Sequence, residues 1–268
     1  MPLLNVNGTT LYYEDSGGPG AVVLFSHGLL FSSAMFEAQV RALAPRYRCI
    51  AYDHRGQGRS GDPGGRRHDI EDVTRDAVSL IQMLAVAPCH FVGLSMGGFV
   101  GMRLAARHPE LLRSLTLLET SADPEPAQNV PRYRLLAFVA RWFGLGAVTG
   151  RVMPIMFSRS FLADPTRAAE RERWRARIAS NRRSIVRAVY GVIERRGVAE
   201  ELTNVRIPTL VIVGEEDVAT VPATAERIHA RIAGSRLVRL AAAGHSSCIE
   251  QPEQVNHAID EFLASVGG

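Results

Sequence analysis

His90-Phe91-Val92-Gly93-Leu94-Ser95-Met96-Gly97-Gly98 is a short apolar run that ends on a serine, with a glycine two residues to either side and a helical pattern from Met96 to Arg107 directly after it. The order strand, tight bend, helix puts the serine on the bend itself. The two glycines have a mechanical reason. Such a bend forces its central residue into a strained backbone geometry, and a side chain at either flanking position would clash across the turn. A hydroxyl held in this way stands clear of the sheet edge, where a nucleophile needs to be.

Working outward, the same alternation recurs on both sides. Val22-Val23-Leu24-Phe25 and Cys49-Ile50-Ala51-Tyr52 are apolar runs closed by turn signals, with a helical pattern between them from about residue 33 to 43. A helix over about 69–84, the strand 90–94, the helix 96–107 and a strand over 114–118 follow. The alternation then stops. Residues 124–205 contain Pro124, Pro126, Pro131, Pro154 and Pro165, an apolar helix around 135–143, and a long amphipathic stretch whose apolar face is Trp174, Ile178, Ile185, Val189 and Ile193. It resumes with the strand Thr209-Leu210-Val211-Ile212-Val213, a helix over 222–233, the strand Leu237-Val238-Arg239-Leu240 and a helix over 252–264. Successive strand and helix units in one sheet imply right-handed crossovers, hence an α/β fold with a doubly wound, mostly parallel sheet and function at the carboxyl ends of its strands. The expected division is a core of residues 1–123 and 206–268 and a helical cap inserted over 124–205.

With 268 residues and 46% hydrophobic content, the chain suits one large domain or one domain with an insertion. The start lacks a charged segment followed by an apolar core, and no apolar run approaches the roughly 18 residues of a membrane span, so a cytoplasmic location is expected. Cys49, Cys89 and Cys248 are odd in number and widely spaced, which suits reduced core thiols, and no metal-ligand spacing occurs. All 31 basic residues are arginine. Residues 124–205 hold 15 of them against 7 acidic residues, net +8, while the remainder holds 16 against 20, net −4. A solvated helical face explains this concentration. A binder of nucleic acid or an acidic surface is the competing reading, and the acidic core speaks against it.

Other strand ends carry reactive groups. His27-Gly28-Leu29-Leu30 follows the first run, and its glycine lets backbone amides turn toward a pocket, so the Leu29 amide is a candidate oxyanion donor; His27 is read as a brace for that loop. The Met96 amide, at the opening of a helix whose dipole favours negative charge, is the second candidate. Asp217 stands just past one strand and His245, in Ala243-Gly244-His245-Ser246-Ser247, just past the next. A serine hydroxyl is a poor nucleophile until an imidazole accepts its proton, and the imidazole needs a carboxylate to fix its tautomer. Glu215 and Glu216 are read as solvated or capping. Cys248 lacks a bend of its own and is read as a core thiol.

The His-Gly loop at His27, Asp53-His54-Arg55-Gly56-Gln57-Gly58-Arg59-Ser60, the bend at Ser95, Asp217 and His245 stand in this order in the chain. In that order the chain resembles the α/β-hydrolase-fold serine hydrolases, and the likeness covers essentially its whole length apart from the insertion. The resemblance implies Ser95 as nucleophile, His245 as general base and acid, Asp217 as the orienting acid, and the Leu29 and Met96 amides as oxyanion hole. Some relatives place the acid after the strand before the insertion, where this chain has Glu119 and Asp123. Asp53 and Arg55 are expected to form an ion pair internal to their Gly-rich turn. The implied activity is hydrolysis of a small-molecule carboxylic ester or lactone, in the manner of the enol-lactonase and small-carboxylesterase group. No cofactor, metal, nucleic acid or membrane partner is implied.

A serine at position 95 excludes the haloalkane dehalogenase and epoxide hydrolase branch, which needs a carboxylate there. Ser246-Ser247-Cys248-Ile249 lacks the Trp common in carbon–carbon bond hydrolases. Those enzymes, cofactor-free haloperoxidase-type perhydrolases and a slow ligand-binding member of the fold are the alternatives. Phe31, Met96, Phe138, Trp142, Phe143 and Phe157 are expected to line the acyl pocket. Arginines facing it would favour a substrate that carries a carboxylate; arginines facing water would favour a neutral ester.

Overall fold

The computed structural model describes residues 2–267. Its strands are β1 (Leu3–Val6), β2 (Thr9–Asp15), β3 (Val22–Ser26), β4 (Arg48–Tyr52), β5 (Cys89–Leu94), β6 (Leu112–Leu118), β7 (Thr209–Gly214) and β8 (Arg236–Leu240). They form one sheet in the order β1-β2-β4-β3-β5-β6-β7-β8. From β4 to β8 every pairing is parallel. Helices α1 (Glu37–Leu43), α2 (Ile70–Met83), α3 (Met96–Arg107) and α9 (Pro222–Arg231) lie in crossovers between parallel strands, α10 (Ser247–Glu250) is a single turn, and α11 (Pro252–Ser265) follows the last strand and packs back on the sheet. Residues 124–205, between β6 and β7, hold α4 (Val130–Phe143), α5 (Thr149–Met156), α6 (Arg159–Ala163), α7 (Ala168–Ala179) and α8 (Val186–Ile193). Among the described residues no helix is long and apolar enough to cross a membrane.

The strands alternate with period two between two apolar layers. Val23, Phe25, Cys49, Ala51, Leu210 and Ile212 face the layer that holds Leu43 of α1 and Val255 and Ile259 of α11. Leu24, Ile50, Phe91, Leu115, Val211 and Val213 face the opposite one, with Ile70 and Val73 of α2 and Phe99 and Val100 of α3. The first layer continues without a break into Leu145, Val148, Phe157, Trp174 and Ile178 of the helical segment, so that segment packs as part of the core.

Two features go beyond the sequence-based expectation of a mostly parallel sheet with a helical insertion. β1 and β2 are antiparallel, and β2 is antiparallel to β4. The hairpin signal is Asn7-Gly8, whose φ angles of 41° and 77° supply the two left-handed residues a tight hairpin needs. The amphipathic stretch over 174–193 is two helices rather than one. α7 stops at Ala179, a 3-10 turn occupies Arg183–Ile185, and α8 begins at Val186. In the break, Asn181 Nδ2 donates to Leu30 O (2.9 Å) and Arg182 Nη2 to Ser60 O (2.7 Å), so tertiary contacts with the core loops replace the helix bonds.

Many arginines of this segment dock it on the core. Arg187 pairs with Asp62 (2.5 Å), Arg167 donates to the carbonyls of Ile249 and Glu250, and Arg66 and Arg67 of the core reach Glu194. Arg55 departs from expectation as well. It pairs bidentately with Asp76 on α2, both contacts at 2.5 Å, and not with Asp53 inside its own turn. Both side chains are buried, and removing either partner strands the other charge in the interior. Arg55→Ala or Asp76→Ala is expected to cost about 3–5 kcal/mol of folding free energy, measured by urea unfolding of each variant against the parent.

Candidate active site

Ser95 occupies φ 50°, ψ −107° between β5 and α3. For a residue with a Cβ this region costs of order 1–3 kcal/mol, and only over-determined surroundings maintain it. Here its amide donates to Leu118 O (2.9 Å), while its carbonyl accepts from Thr120 Oγ1 (2.8 Å) and Phe99 N (3.0 Å). A Cβ on Gly97 would lie 1.9 Å from Ser26 O, and one on Gly93 2.4 Å from Gly97 O. Glycine at both positions is therefore a packing requirement.

The bend aims Ser95 Oγ at His245 Nε2, 2.9 Å away. His245 Nδ1 in turn lies 2.9 Å from Asp217 Oδ2. A proton on Nδ1 shared with the carboxylate leaves Nε2 to accept the serine hydroxyl, the tautomer that the two contacts together require. Asp217 also accepts from Ala219 N (2.8 Å), Thr220 N (3.0 Å) and Thr220 Oγ1 (2.7 Å), which fixes its plane. All three side chains are nearly enclosed.

The loops that carry Asp217 and His245 are joined through their backbones. Glu216 N donates to Ala243 O (2.9 Å), and a Cβ on Gly214 would sit 2.3 Å from that same oxygen. Glu250, on α10, completes the brace. Its Oε1 accepts from Gly244 N (3.2 Å) and Ser246 N (3.1 Å), the residues on either side of His245, and its Oε2 from Ser158 N (2.9 Å) in the helical segment. Sequence reasoning passed over Glu250. An acidic residue five positions after a candidate histidine is a faint signal, and its contacts depend on how α10 folds back.

The other sequence candidates fall as follows. His27 braces its loop, with Nδ1 2.7 Å from Gly28 O and Nε2 accepting from His54 N (2.9 Å). Among the described residues the amides of Leu29 and Met96 have no protein acceptor, although Leu30 N next to them donates to Gln57 Oε1 (3.1 Å). Asp123 pairs with Arg227 at the surface. Glu216 holds Ser160, and Glu215 lies 3.9 Å from Arg239. Cys248 is buried, and burial raises its thiol well above the ordinary range. Glu119 is fully buried and gives one oxygen to Gly214 N (3.2 Å). It does not reach His245. Burial first, and then the Asp217 charge, push its carboxyl well above the ordinary value.

Above Ser95 and His245 lies a cavity of about 120 Å³. Its walls are aliphatic: Leu29 and Leu30 from the loop after β3, Leu136, Ala137 and Ala140 from α4, Val152 and Met156 from α5, and Val189 and Ile193 from α8. Phe99, Tyr133, Glu125 and Arg195 complete it. The expected aromatic lining is not what the structure shows. Phe138, Trp142 and Phe143 are 55%, 59% and 71% exposed, on the outer side of α4 and at its end. Phe31 and Phe157 are buried in a separate aromatic cluster with Trp174 and Phe161, and Met96 lies beneath the site with Sδ 3.6 Å from Gln57 Nε2. The usable signal was the spacing of Tyr133, Leu136, Ala137 and Ala140, which share one face of a helix whose other face carries the larger rings.

A parallel α/β sheet with a serine on a strand-to-helix bend, facing a histidine and an acid from later strand ends, defines a class of protein built around a nucleophile elbow. Residues 21–252 match the alpha/beta hydrolase fold family, and the chain belongs to it. A candidate carbamate hydrolase, RutD, of Variovorax paradoxus is 30% identical over 264 residues, covering 96% of this chain and 97% of that one. Among solved structures, the enol-lactonase from Burkholderia xenovorans LB400 is 30% identical with a TM-score of 0.91, covering 98% of this chain and 100% of its own. A thermophilic esterase from Thermogutta terrifontis is likewise 30% identical, with a TM-score of 0.89 and coverage of 97% and 95%.

Glu119 generates a pH prediction. Its folded pKa lies above the ordinary 4.5, so the stability it contributes is fully present below that value and is lost as pH rises through the folded value. Glu119→Gln has no proton to lose there. Its melting temperature is expected to fall less than the parent's between about pH 5 and about pH 9, as read by thermal melts in matched buffers.

Proposed function

We propose that this chain is a serine hydrolase that cleaves a carboxylic ester or lactone through an acyl-enzyme. The observation that carries the reading is the continuous contact from Asp217 through His245 to Ser95 Oγ, at the floor of an aliphatic cavity. His245 Nε2 takes the hydroxyl proton as Oγ bonds to the substrate carbonyl carbon, and the carbonyl electrons move to oxygen. The amides of Leu29 and Met96 are the donors for that oxyanion, Met96 with the added field of the α3 N-terminus. Collapse expels the alcohol, protonated by His245, or opens the lactone ring with its alkoxide end protonated in the same way. Water then gives a proton to His245 and its oxygen to the acyl carbon, releasing the acid and restoring Ser95.

In this reading residues 124–205 act as a cap. α4, α5 and α8 supply most of the cavity wall, so the acyl group is held by shape and apolar contact rather than by charge. The names of the similar proteins, an enol-lactonase and an esterase, support acyl transfer to water as the reaction class. The contact between Asp217, past β7, and His245, past β8, supports Asp217 as the acid in this reading, with Glu119, out of reach of the imidazole, as packing behind it.

Ser95→Ala is expected to lower kcat/KM for short p-nitrophenyl esters by at least about 1,000-fold, and a fluorophosphonate probe should label the parent once and the variant not at all. Intact-protein mass spectrometry reads the labelling; turnover by the variant at the parent rate removes the mechanism. Asp217→Asn is expected to lower kcat by about 10,000-fold while Glu119→Gln stays within a few-fold of the parent, compared by steady-state kinetics on the same ester.

A further inference from the structure

Arg195 brings a guanidinium into the cavity wall. Its side chain is 3% exposed. Nη1 donates to Glu125 Oε2 (2.8 Å) and Val192 O (2.9 Å), and Nε donates to Asp123 O (3.2 Å). These bonds staple the two ends of the helical segment, together with Val198 N donating to Ala122 O (2.7 Å). They use two of the three nitrogens. Nη2 has no hydrogen-bond partner among the described residues, and the guanidinium carbon lies 4.4 Å from the ring centre of Phe99, one helical turn after Ser95. Tyr133 faces the same cavity from α4, and its hydroxyl also lacks a partner among the described residues. Burial, with Glu125 next, raises that phenol, so it stays an O–H donor.

Two free donors thus stand at one end of a cavity that is otherwise aliphatic. Their charge environment limits what they can receive. Glu125, in the same wall, cancels Arg195; the next cation behind it, Arg103, is paired with Glu71; and Asp217 leaves one negative charge beyond His245. A carboxylate entering this largely aliphatic cavity would face Glu125 and Asp217, while the remaining cation whose charge reaches Tyr133, Arg132, is exposed and outside the cavity wall, so the entry costs free energy at reduced dielectric. A neutral acceptor oxygen satisfies both donors and adds no charge.

We propose that Arg195 and Tyr133 form a subsite for a neutral oxygen acceptor (a ketone, ether or ester oxygen) on the part of the substrate remote from the scissile carbonyl, and that the cavity discriminates against a carboxylate at that place. The subsite rests on the hydrolase reading and names the substrate class within it.

Three p-nitrophenyl esters of equal chain length test the subsite: the hexanoate, the 5-oxohexanoate and the monoester of adipic acid. In the parent, kcat/KM is expected to be about 10-fold higher for the oxo ester than for the hexanoate, and about 10-fold lower for the adipate monoester. Tyr133→Phe should reduce the ratio of oxo ester to hexanoate several-fold. Glu125→Gln, which leaves Arg195 unbalanced, should raise the ratio of adipate monoester to hexanoate about 10-fold. A variant that loses structure slows all three esters together and leaves the ratios fixed; unmoved ratios in both variants overturn the subsite. So does a parent enzyme that handles the adipate monoester as well as the hexanoate. If hexanoate turnover still depends on Ser95 in those cases, only the subsite falls; if no ester is turned over through Ser95, the hydrolase reading falls and the subsite with it.

Discussion

Ser95 holds a backbone conformation that an L-residue adopts only under constraint, and the constraint comes from three neighbouring strands at once. Its amide is bound to the last carbonyl of β6, its carbonyl to Thr120 just beyond β6 and to α3, and the glycine after it lies against the last carbonyl of β3. Apart from the bond to α3, none of these contacts is local in sequence. The bend exists because the parallel sheet brings the ends of β3, β5 and β6 side by side, and the sheet in turn tolerates no larger residue at positions 93 and 97. Strain and packing determine one another here, which is why the geometry is fixed before any substrate arrives.

The same economy governs the neighbouring strand ends. The loops after β7 and β8 are tied to each other by backbone bonds, and Glu250 accepts amides from both neighbours of His245 and from the start of α6. The imidazole is therefore held by core and helical segment together. Two buried carboxyls, Glu119 and Glu250, pack close to Asp217 and the histidine loop, and burial raises both pKa values. Asp217 alone among the three meets the imidazole, so neighbouring acids sit in distinct environments.

The helical segment answers the charge puzzle posed by its composition. Its arginines do not form one free basic face: several are spent on Glu194, Asp62 and the carbonyls of core loops, and one, Arg195, turns into the cavity already neutralised by Glu125. α4 shows the corresponding division among apolar residues. Small and aliphatic side chains face the cavity, while Phe138 and Trp142 face outward. Ring size alone pointed to the wrong face, because a cavity is space that side chains leave empty, and small residues leave more of it.

The parallel core was legible in the chain because each strand is an apolar run of fixed length and each crossover helix has a 3.6-residue period, both local properties. The bend at Ser95, the candidate acid and histidine past later strands, and the bracing role of His27 were legible for a related reason: in such a sheet, functional side chains follow strand ends. The antiparallel hairpin had its Asn7-Gly8 signal and was passed over. The break between α7 and α8, the partner of Arg55, the brace from Glu250 and the true lining of the cavity were not legible. Each depends on which residues distant in the chain come to lie opposite one another, and periodicity, which records only how a segment presents its own faces, carries no information about what packs against them.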